Sequence, residues 1–478
     1  MESGGQSGQA PLRPLELLPP VTPVRGGEDS LVASSLLCTL GSMFTLSVNR
    51  RAADRLRSGH LWTYRSDLAA EPEAEPGSLV TLLDPRGLPL GTALYSSASQ
   101  IAARLVSSRP GLTRAEYLAD VRIRIAEALD LRRRLAPSSA ANNAHRIIFS
   151  EADNLPGIVA DRYNDLVLLQ LLTQGTAQED VRSVFVEALR AAAPSGEGQR
   201  ELTIWERPDA RVGELEQLPA PARGALFSTQ AAPPSSTIFA LNGLRFHYDV
   251  AAGQKTGAFL DQRLNYAAAA RAVAEAVSAR RSGADGPRAL DVCSYQGGFA
   301  LHLAKVCAQV TGVDASRSAL EAAERNLTLN QTHHPSLLTD CQVDWMEADA
   351  FAYLRHLDDT ARAGGSRPSS SKSLFDAIVL DPPAFAKSRR AVEGALRGYK
   401  ELNLRALRLL APGGTLITNS CSHHISMEEF TAVVAAAASD ARRKVQLLER
   451  RAAAPDHPEI LTLPETGYLK CLICRVEG

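Results

Sequence analysis

Residues 375–390 read FDAIVLDPPAFAKSRR, residues 398–414 read GYKELNLRALRLLAPGG, and residues 415–424 read TLITNSCSHH. The first begins as an apolar run and stops on Asp381-Pro382-Pro383. A buried strand of this kind delivers a carboxylate to the C-terminal edge of a sheet, where open α/β folds bind ligands. Proline cannot continue a central strand, so the chain must leave the sheet there. The second stretch has a helical pattern that is expected to stop at Pro412-Gly413-Gly414. The third reads as the next strand, over residues 415–418, with Cys421 just past its end between two serines and before His423 and His424. One sheet edge is thus expected to present an acid, a rigid loop and a thiol, an arrangement suited to catalysis.

Upstream, ALDVCSYQGGFALHLA (residues 289–304) reads as strand, glycine loop and helix. Gly297-Gly298 would let a ligand approach the backbone closely, although a glycine pair is as often a packing turn. VTGVDAS follows and ends a second strand on Asp314, 17 residues past Gly297. An acid at about this spacing meets a ribose hydroxyl in nucleotide-binding folds. A third strand, CQVDWMEADAF, carries Asp349 at its end. Acids at the ends of successive strands are more specific than any one alone. A full G-x-G-x-x-G is absent, as is a P-loop, which argues against NAD and ATP.

The remaining chain bounds the answer. Its 478 residues allow two to four domains, and its net charge of −1 gives no global basic field. Seven scattered cysteines suit a reducing cytoplasm better than a disulfide framework. Cys471 and Cys474 form a lone C-x-x-C, so no zinc or other metal is expected. No apolar run is long enough for a membrane helix. Residues 1–43 are rich in Pro, Gly and Ser and are expected to be a disordered extension. Residues 44–112 read as short strands and turns, a small β-barrel. Residues 44–135 hold 14 arginines, no lysine and 10 acidic residues, with Trp62, Tyr64 and Tyr95 interleaved. A solvated barrel surface with core aromatics accounts for this on composition alone; an RNA-binding module is the alternative. Residues 113–240 alternate helical and strand patterns, with the strand pair inside residues 146–172, and form an α/β middle domain. Residues 241–478 are the unit that holds the edge described above, and barrel and catalytic unit are expected to be separable.

Arginine outnumbers lysine 45 to seven, so each lysine suggests a place that wants a compact ammonium. Lys255 lies in AAGQKTGAFLDQRLN, Lys387 in the DPPAFAKS loop, and Lys400 and Lys470 in further suggestive contexts. Gln254, Lys255 and Arg263 are candidates for holding a cofactor or RNA phosphates.

Acid, glycine loop, acid, acid and Asp381-Pro382-Pro383 together resemble a class I S-adenosylmethionine (SAM) methyltransferase. The chain from Phe44 onward more closely resembles the PUA-domain large-subunit ribosomal RNA (cytosine-C5) methyltransferases. The motifs are GHLWTY (59–64), LPLGTALY (88–95), DNLPGIVADRY (153–163), GQKTGAFLDQR (253–263), CSYQGGF, DPPAFAKS, GYKELN, SCSHH and DHPEILTLPETGYLK (456–470). The resemblance implies a PUA-like N-terminal β-barrel, an α/β middle domain and a Rossmann-like methyltransferase domain. It also implies SAM as methyl donor and a cytosine of ribosomal RNA as acceptor, in the cytoplasm; a homodimer stays open.

On that footing Gly297 and Gly298 would cradle the methionine part of SAM, Asp314 its ribose and Asp349 its adenine. Asp381, Pro382, Pro383, Phe385 and Lys387 would shape the base pocket. Cys421 would be the nucleophile. Cytosine C5 is a poor nucleophile, and a thiolate adding at C6 makes it enamine-like. His423, His424 and Lys387 are the expected means of lowering its pKa. Many RNA cytosine-C5 methyltransferases carry a second cysteine after the Asp-Pro-Pro proline; here Ala384 follows Pro383, so no base is assigned to the C5 proton. The alternatives are a guanine-N7 or other-base methyltransferase, a small-molecule methyltransferase, and a non-catalytic RNA-binding protein.

Overall fold

The computed structural model describes residues 44–70, 72–192, 201–221, 223–250, 257–278, 286–333, 338, 340–363, 375–386 and 388–477. The N-terminal extension, Gln254, Lys255, Lys387 and the Gly/Ser loop at 364–373 fall outside these residues.

The first sheet runs in the order β1-β3-β4-β5-β2, built from β1 (Thr45–Ser47), β2 (Trp62–Tyr64), β3 (Leu79–Leu83), β4 (Pro89–Tyr95) and β5 (Ile101–Ser107). Helix α1 (Arg50–Arg57) is capped by the Asn49 side chain and buries Ala52, Ala53 and Leu56 on one face. Ala69 N donates to Ser47 O and Asn49 N to Asp67 O, so the flanks of the two edge strands are bonded and the sheet closes as the expected barrel.

Helix α2 (Arg114–Leu135) begins in a capping box between Thr113 and Glu116. A second sheet comes after it, ordered β10-β9-β8-β7-β6. Its strands are β6 (Ala144–Phe149), β7 (Ile158–Tyr163), β8 (Leu166–Leu171), β9 (Thr203–Glu206) and β10 (Phe227–Ser228). The expected strand pair is therefore three strands. Helices α3 (Glu179–Ala192) and α4 (Ala210–Glu216) complete this unit. Asp161 and Glu206, which as strand acids could be imagined in catalysis, are instead paired with Arg146 and Arg182.

Barrel and middle domain share one core. Leu79, Leu94, Val106 and Leu112 pack in the same cluster as Val121, Ile148, Leu169 and Phe185. Trp62 Nε1 donates to Glu151 Oε1 at 2.8 Å, and Arg104 pairs with the same carboxylate. Cutting the barrel away would uncover that apolar surface of the middle domain.

The hairpin of β11 (Ser236–Leu241) and β12 (Leu244–Asp249) crosses the expected 240/241 boundary and packs its aromatic residues into a core shared with the C-terminal sheet. Next come α5 (Arg263–Ser278), β13 (Arg288–Val292), α6 (Gly298–Leu303), β14 (Gln309–Asp314), α7 (Arg317–His333), β15 (Gln342–Glu347) and α8 (Ala350–Ala363). They continue as β16 (Phe375–Leu380), α9 (Val392–Leu409), β17 (Leu410–Ser420), α10 (Met427–Ala441), β18 (Val445–Arg451) and β19 (Lys470–Val476). The sheet order is β15-β14-β13-β16-β17-β19-β18, parallel except for β19. Ala377 and Val379 face one core and Ile378 and Leu380 the other, as a sheet covered on both faces requires. Cys471 and Cys474 likewise fall in opposite cores, so their thiols cannot share a ligand. Helix α9 ends at Leu409, before Pro412, and the Pro-Gly-Gly lies inside β17 rather than ending the helix. The residue before a proline disfavours helix, and the chain turns extended one residue earlier still, at Leu410.

Candidate active site

The parallel strands β13, β14, β16 and β17 all end at one edge. After β13 the chain runs through Cys293 (φ 66°), Tyr295 (φ 50°) and Gly297 (φ 87°), so alternate residues are left-handed. Two of the three carry a Cβ and store strain on the order of 1 kcal/mol each or more. Tyr295 N donates to Asp314 Oδ2 and Ser316 N to Asp314 Oδ1, both at 2.9 Å. Asp314 is thereby oriented while each oxygen keeps a lone pair for a hydroxyl. Gly298 has a packing reason of its own: a Cβ there would sit 2.6 Å from Tyr266 Cζ. Asp349 follows β15, caps α8 by accepting from Ala352 N at 2.9 Å, and is exposed.

His302 anchors this loop from below. Asn242 Nδ2 donates to Arg263 O, which identifies it as the amide nitrogen, and it also lies 3.0 Å from His302 Nε2. His302 Nε2 therefore accepts, and Nδ1 donates to Gly298 O at 2.7 Å. Burial pulls this histidine down to about 4.

Two residues at the edge, Asp291 and Gln262, were given no role in the sequence, and a third, Lys470, was noted only as a lysine in a suggestive context. Asp291, on β13, is fully buried; Oδ2 accepts from Ala300 N at 2.8 Å. Burial, and then the charges of Asp381 and Asp314, push its carboxyl well above the usual range. Gln262 is buried and donates from Nε2 to Asp381 Oδ1 at 3.1 Å, while Asn265 Nδ2 holds its oxygen. Lys470 is buried at the start of β19. The available signals were a strand-borne acid before the glycine loop, a glutamine opening a helix beside that loop, and a lysine heading an apolar terminal strand.

The Asp-Pro-Pro turn and the thiol meet. Cys421 Sγ lies 3.9 Å from Pro382 O. Ser420 and Ser422 on either side are fully buried; both bond the Tyr399 hydroxyl at 3.0 Å, and Ser422 Oγ accepts from Ala386 N. These hydroxyls clamp the loop of Pro382, Pro383 and Phe385 to the Cys421 turn, leaving the thiol half-buried between two inward serines. Phe385 packs against Tyr399 with the rings tilted and their centroids 4.7 Å apart. His423 and His424 are exposed, and His423 Nδ1 bonds Glu465 O. Arg263 is not placed for phosphate: its guanidinium pairs with Asp456 Oδ1 at 2.9 Å, and Asp456 is fully buried.

A ligand with donors and acceptors fits this edge. Asp291 Oδ1, Ser294 Oγ and Asn419 Oδ1 are buried without a partner, and all three lie at the ends of β13 and β17. Among the described residues no cluster could hold a metal ion, and no helix is long and apolar enough to cross a membrane.

Comparison with known proteins agrees with the geometry. Residues 46–108 match a PUA-like domain, and residues 230–475 match an S-adenosylmethionine-dependent methyltransferase. The chain is 35% identical over 422 residues to ribosomal RNA large subunit methyltransferase I of Cronobacter sakazakii, covering 87% of this chain and 95% of the relative. It is 36% identical over 427 residues to the protein of that name from Shewanella denitrificans, covering 88% and 96%. A solved chain described as a SAM-dependent methyltransferase from Streptococcus mutans matches with a TM-score of 0.70 at 20% identity, covering 91% of this chain and all of that one. Another, a methyltransferase complexed with SAH, matches at 0.68 and 21%, with the same coverage; both are likenesses of fold. By these matches the chain belongs to the ribosomal RNA large subunit methyltransferase I family, in which a PUA-like domain accompanies a SAM-dependent methyltransferase domain.

Proposed function

We propose that the chain methylates C5 of a cytosine in large-subunit ribosomal RNA, in the cytoplasm, through a covalent adduct at Cys421. The observation that carries this is the thiol itself. Cys421 is half-buried beside the Asp381-Pro382-Pro383 turn, and the two serines around it are locked inward. Direct transfer to a ring nitrogen needs no such thiol. Of the other described cysteines, four are buried, and Cys293, also half-buried, has its thiol pushed far up by burial and by Asp314.

Gly297 and Gly298 would hold the methionine part of the cofactor, Asp314 the ribose hydroxyls and Asp349 the adenine, with Asp291 and Gln262 positioning the loop and Asp381. The cofactor supplies an electrophilic methyl group on a sulfonium. The Cys421 thiolate adds to C6 of the flipped-out base, and C5 becomes nucleophilic enough to take that methyl group. Loss of the C5 proton and expulsion of the thiolate restore the aromatic ring. Pro382, Pro383, Phe385 and Lys387 would line the base, and the barrel aromatics Trp62 and Tyr64 would contact RNA.

Bisulfite sequencing of ribosomal RNA from cells with and without the gene tests this reading. One large-subunit cytosine should lose its protection when the gene is removed. An unchanged bisulfite pattern alongside loss of a methyl group on another base would overturn it.

A further inference from the structure

Lys470 lies opposite Ser420 in the antiparallel ladder, and Ser420 directly precedes Cys421. Its side chain is 4% exposed. Nζ donates to Ser422 O at 2.6 Å and to Tyr468 O at 2.7 Å. A buried ammonium is costly unless a counter-charge accompanies it. Among the described residues no carboxylate lies within ion-pair distance. Glu459, on the strap before β19, and Glu429, at the start of α10, act on it more weakly than Cys421 does. Tyr468 presents its carbonyl, and its hydroxyl is turned to Asp261.

The two carbonyls take two N–H bonds. An ammonium has a third proton in the remaining direction, where an amine has its lone pair. Lys470 can therefore take up or give up one proton and keep both carbonyls. Burial pulls its ammonium down to about 8, against an opposing pull from Cys421.

We propose that Lys470 is the counter-ion of Cys421, a positioning residue that holds the nucleophile as a thiolate. The step is loss of one proton: the S–H bond of Cys421 breaks, the proton passes to solvent, and the electron pair stays on sulfur beside the Lys470 ammonium. This role replaces the one expected of His423 and His424. It rests on the reading of Cys421 as nucleophile, but its test needs neither RNA nor cofactor.

The test is iodoacetamide alkylation of the full chain across pH, followed by mass spectrometry on the Cys421 peptide. Thermal melting checks that each variant is folded. At about pH 6.5 the wild type should react about tenfold faster than Lys470→Met, and Lys470→Arg, which keeps the charge, should retain most of that advantage. Superimposable profiles for wild type and Lys470→Met would overturn the proposal, as would a wild-type midpoint at the ordinary thiol value of about 8.5. If Lys470→Met does not fold, the wild-type midpoint decides. Ribosomal RNA without the expected methylcytosine would remove the cytosine reading and leave the alkylation contrast intact.

Discussion

The two halves of the sheet edge are built on opposite electrostatic principles. At the β13–β14 half, Asp291 and Asp314 face Asp381 at the end of β16, and burial, then the charges of Asp381 and Asp314, drive Asp291 toward its neutral form. At the β17–β19 half, a thiol sits beside a buried ammonium that no carboxylate neutralises. The first half is shaped to accept hydrogen bonds from a polar, cationic ligand. The second is shaped to keep negative charge on sulfur. On the reading proposed above, one half would bind a sulfonium cofactor and the other would hold an anionic nucleophile, with the Asp-Pro-Pro turn between the two fields.

The largest effect that would sharpen this contrast comes from the strap that carries Lys470. Arg263 and Asp456 anchor its start in a buried pair. Arg263→Ala removes the guanidinium and leaves that carboxylate only Arg146 N and the His457 ring, so stability should fall by about 3 kcal/mol. Where the protein still folds, the salt dependence of RNA binding should match wild type, because Arg263 makes no phosphate contact. Urea unfolding and filter binding across salt check both; a flatter salt slope at full stability would return Arg263 to the RNA surface.

Acid comes next. His302 and His145 are both pulled down to about 4 by burial, from an ordinary value near 6.5. Each is neutral in the folded chain, so its contribution is complete above about 6.5 and is lost as pH falls toward about 4. The upper bound is about 3 kcal/mol for each histidine. The cofactor half should loosen first, since a proton on His302 Nε2 would face the Asn242 amide protons. Urea midpoints from about pH 7 to 4.5 should decline, and His302→Asn should remove part of the decline. A flat wild-type profile would contradict this.

The smallest effect is confined to the cofactor half. Asp314→Ala should weaken SAM binding by about 1–3 kcal/mol in calorimetry, because ribose hydroxyls lose their acceptor. The Cys421 alkylation profile should not move. Unchanged affinity would show that Asp314 is not the ribose ligand.

Much of this architecture was readable beforehand. The apolar run ending on Asp381-Pro382-Pro383 announces a parallel strand, because only a strand covered on both faces is apolar at successive residues. Cys421 was readable for the same reason, as a thiol just past such a strand. What stayed hidden depends on pairings across long separations. Lys470 meets the Cys421 turn only through the register of β19 on β17. Arg263 finds Asp456 193 residues away. Leu79 and Leu94 look like ordinary barrel residues until α2 and β8 cover them. Local pattern carries no information about which distant surface completes a core or a charge pair.

The central claim is that Cys421 forms the bond to the base. RNA carrying 5-fluorocytosine at the target tests it directly, since fluorine cannot leave as the C5 proton does. Incubated with SAM, the wild-type chain should be trapped as a covalent RNA adduct that maps to Cys421 by mass spectrometry. Cys421→Ala should give no adduct and no methyl transfer, with SAM affinity within about twofold of wild type. An adduct on any other residue, or full activity in Cys421→Ala, would contradict the account and leave direct transfer to another position as the mechanism.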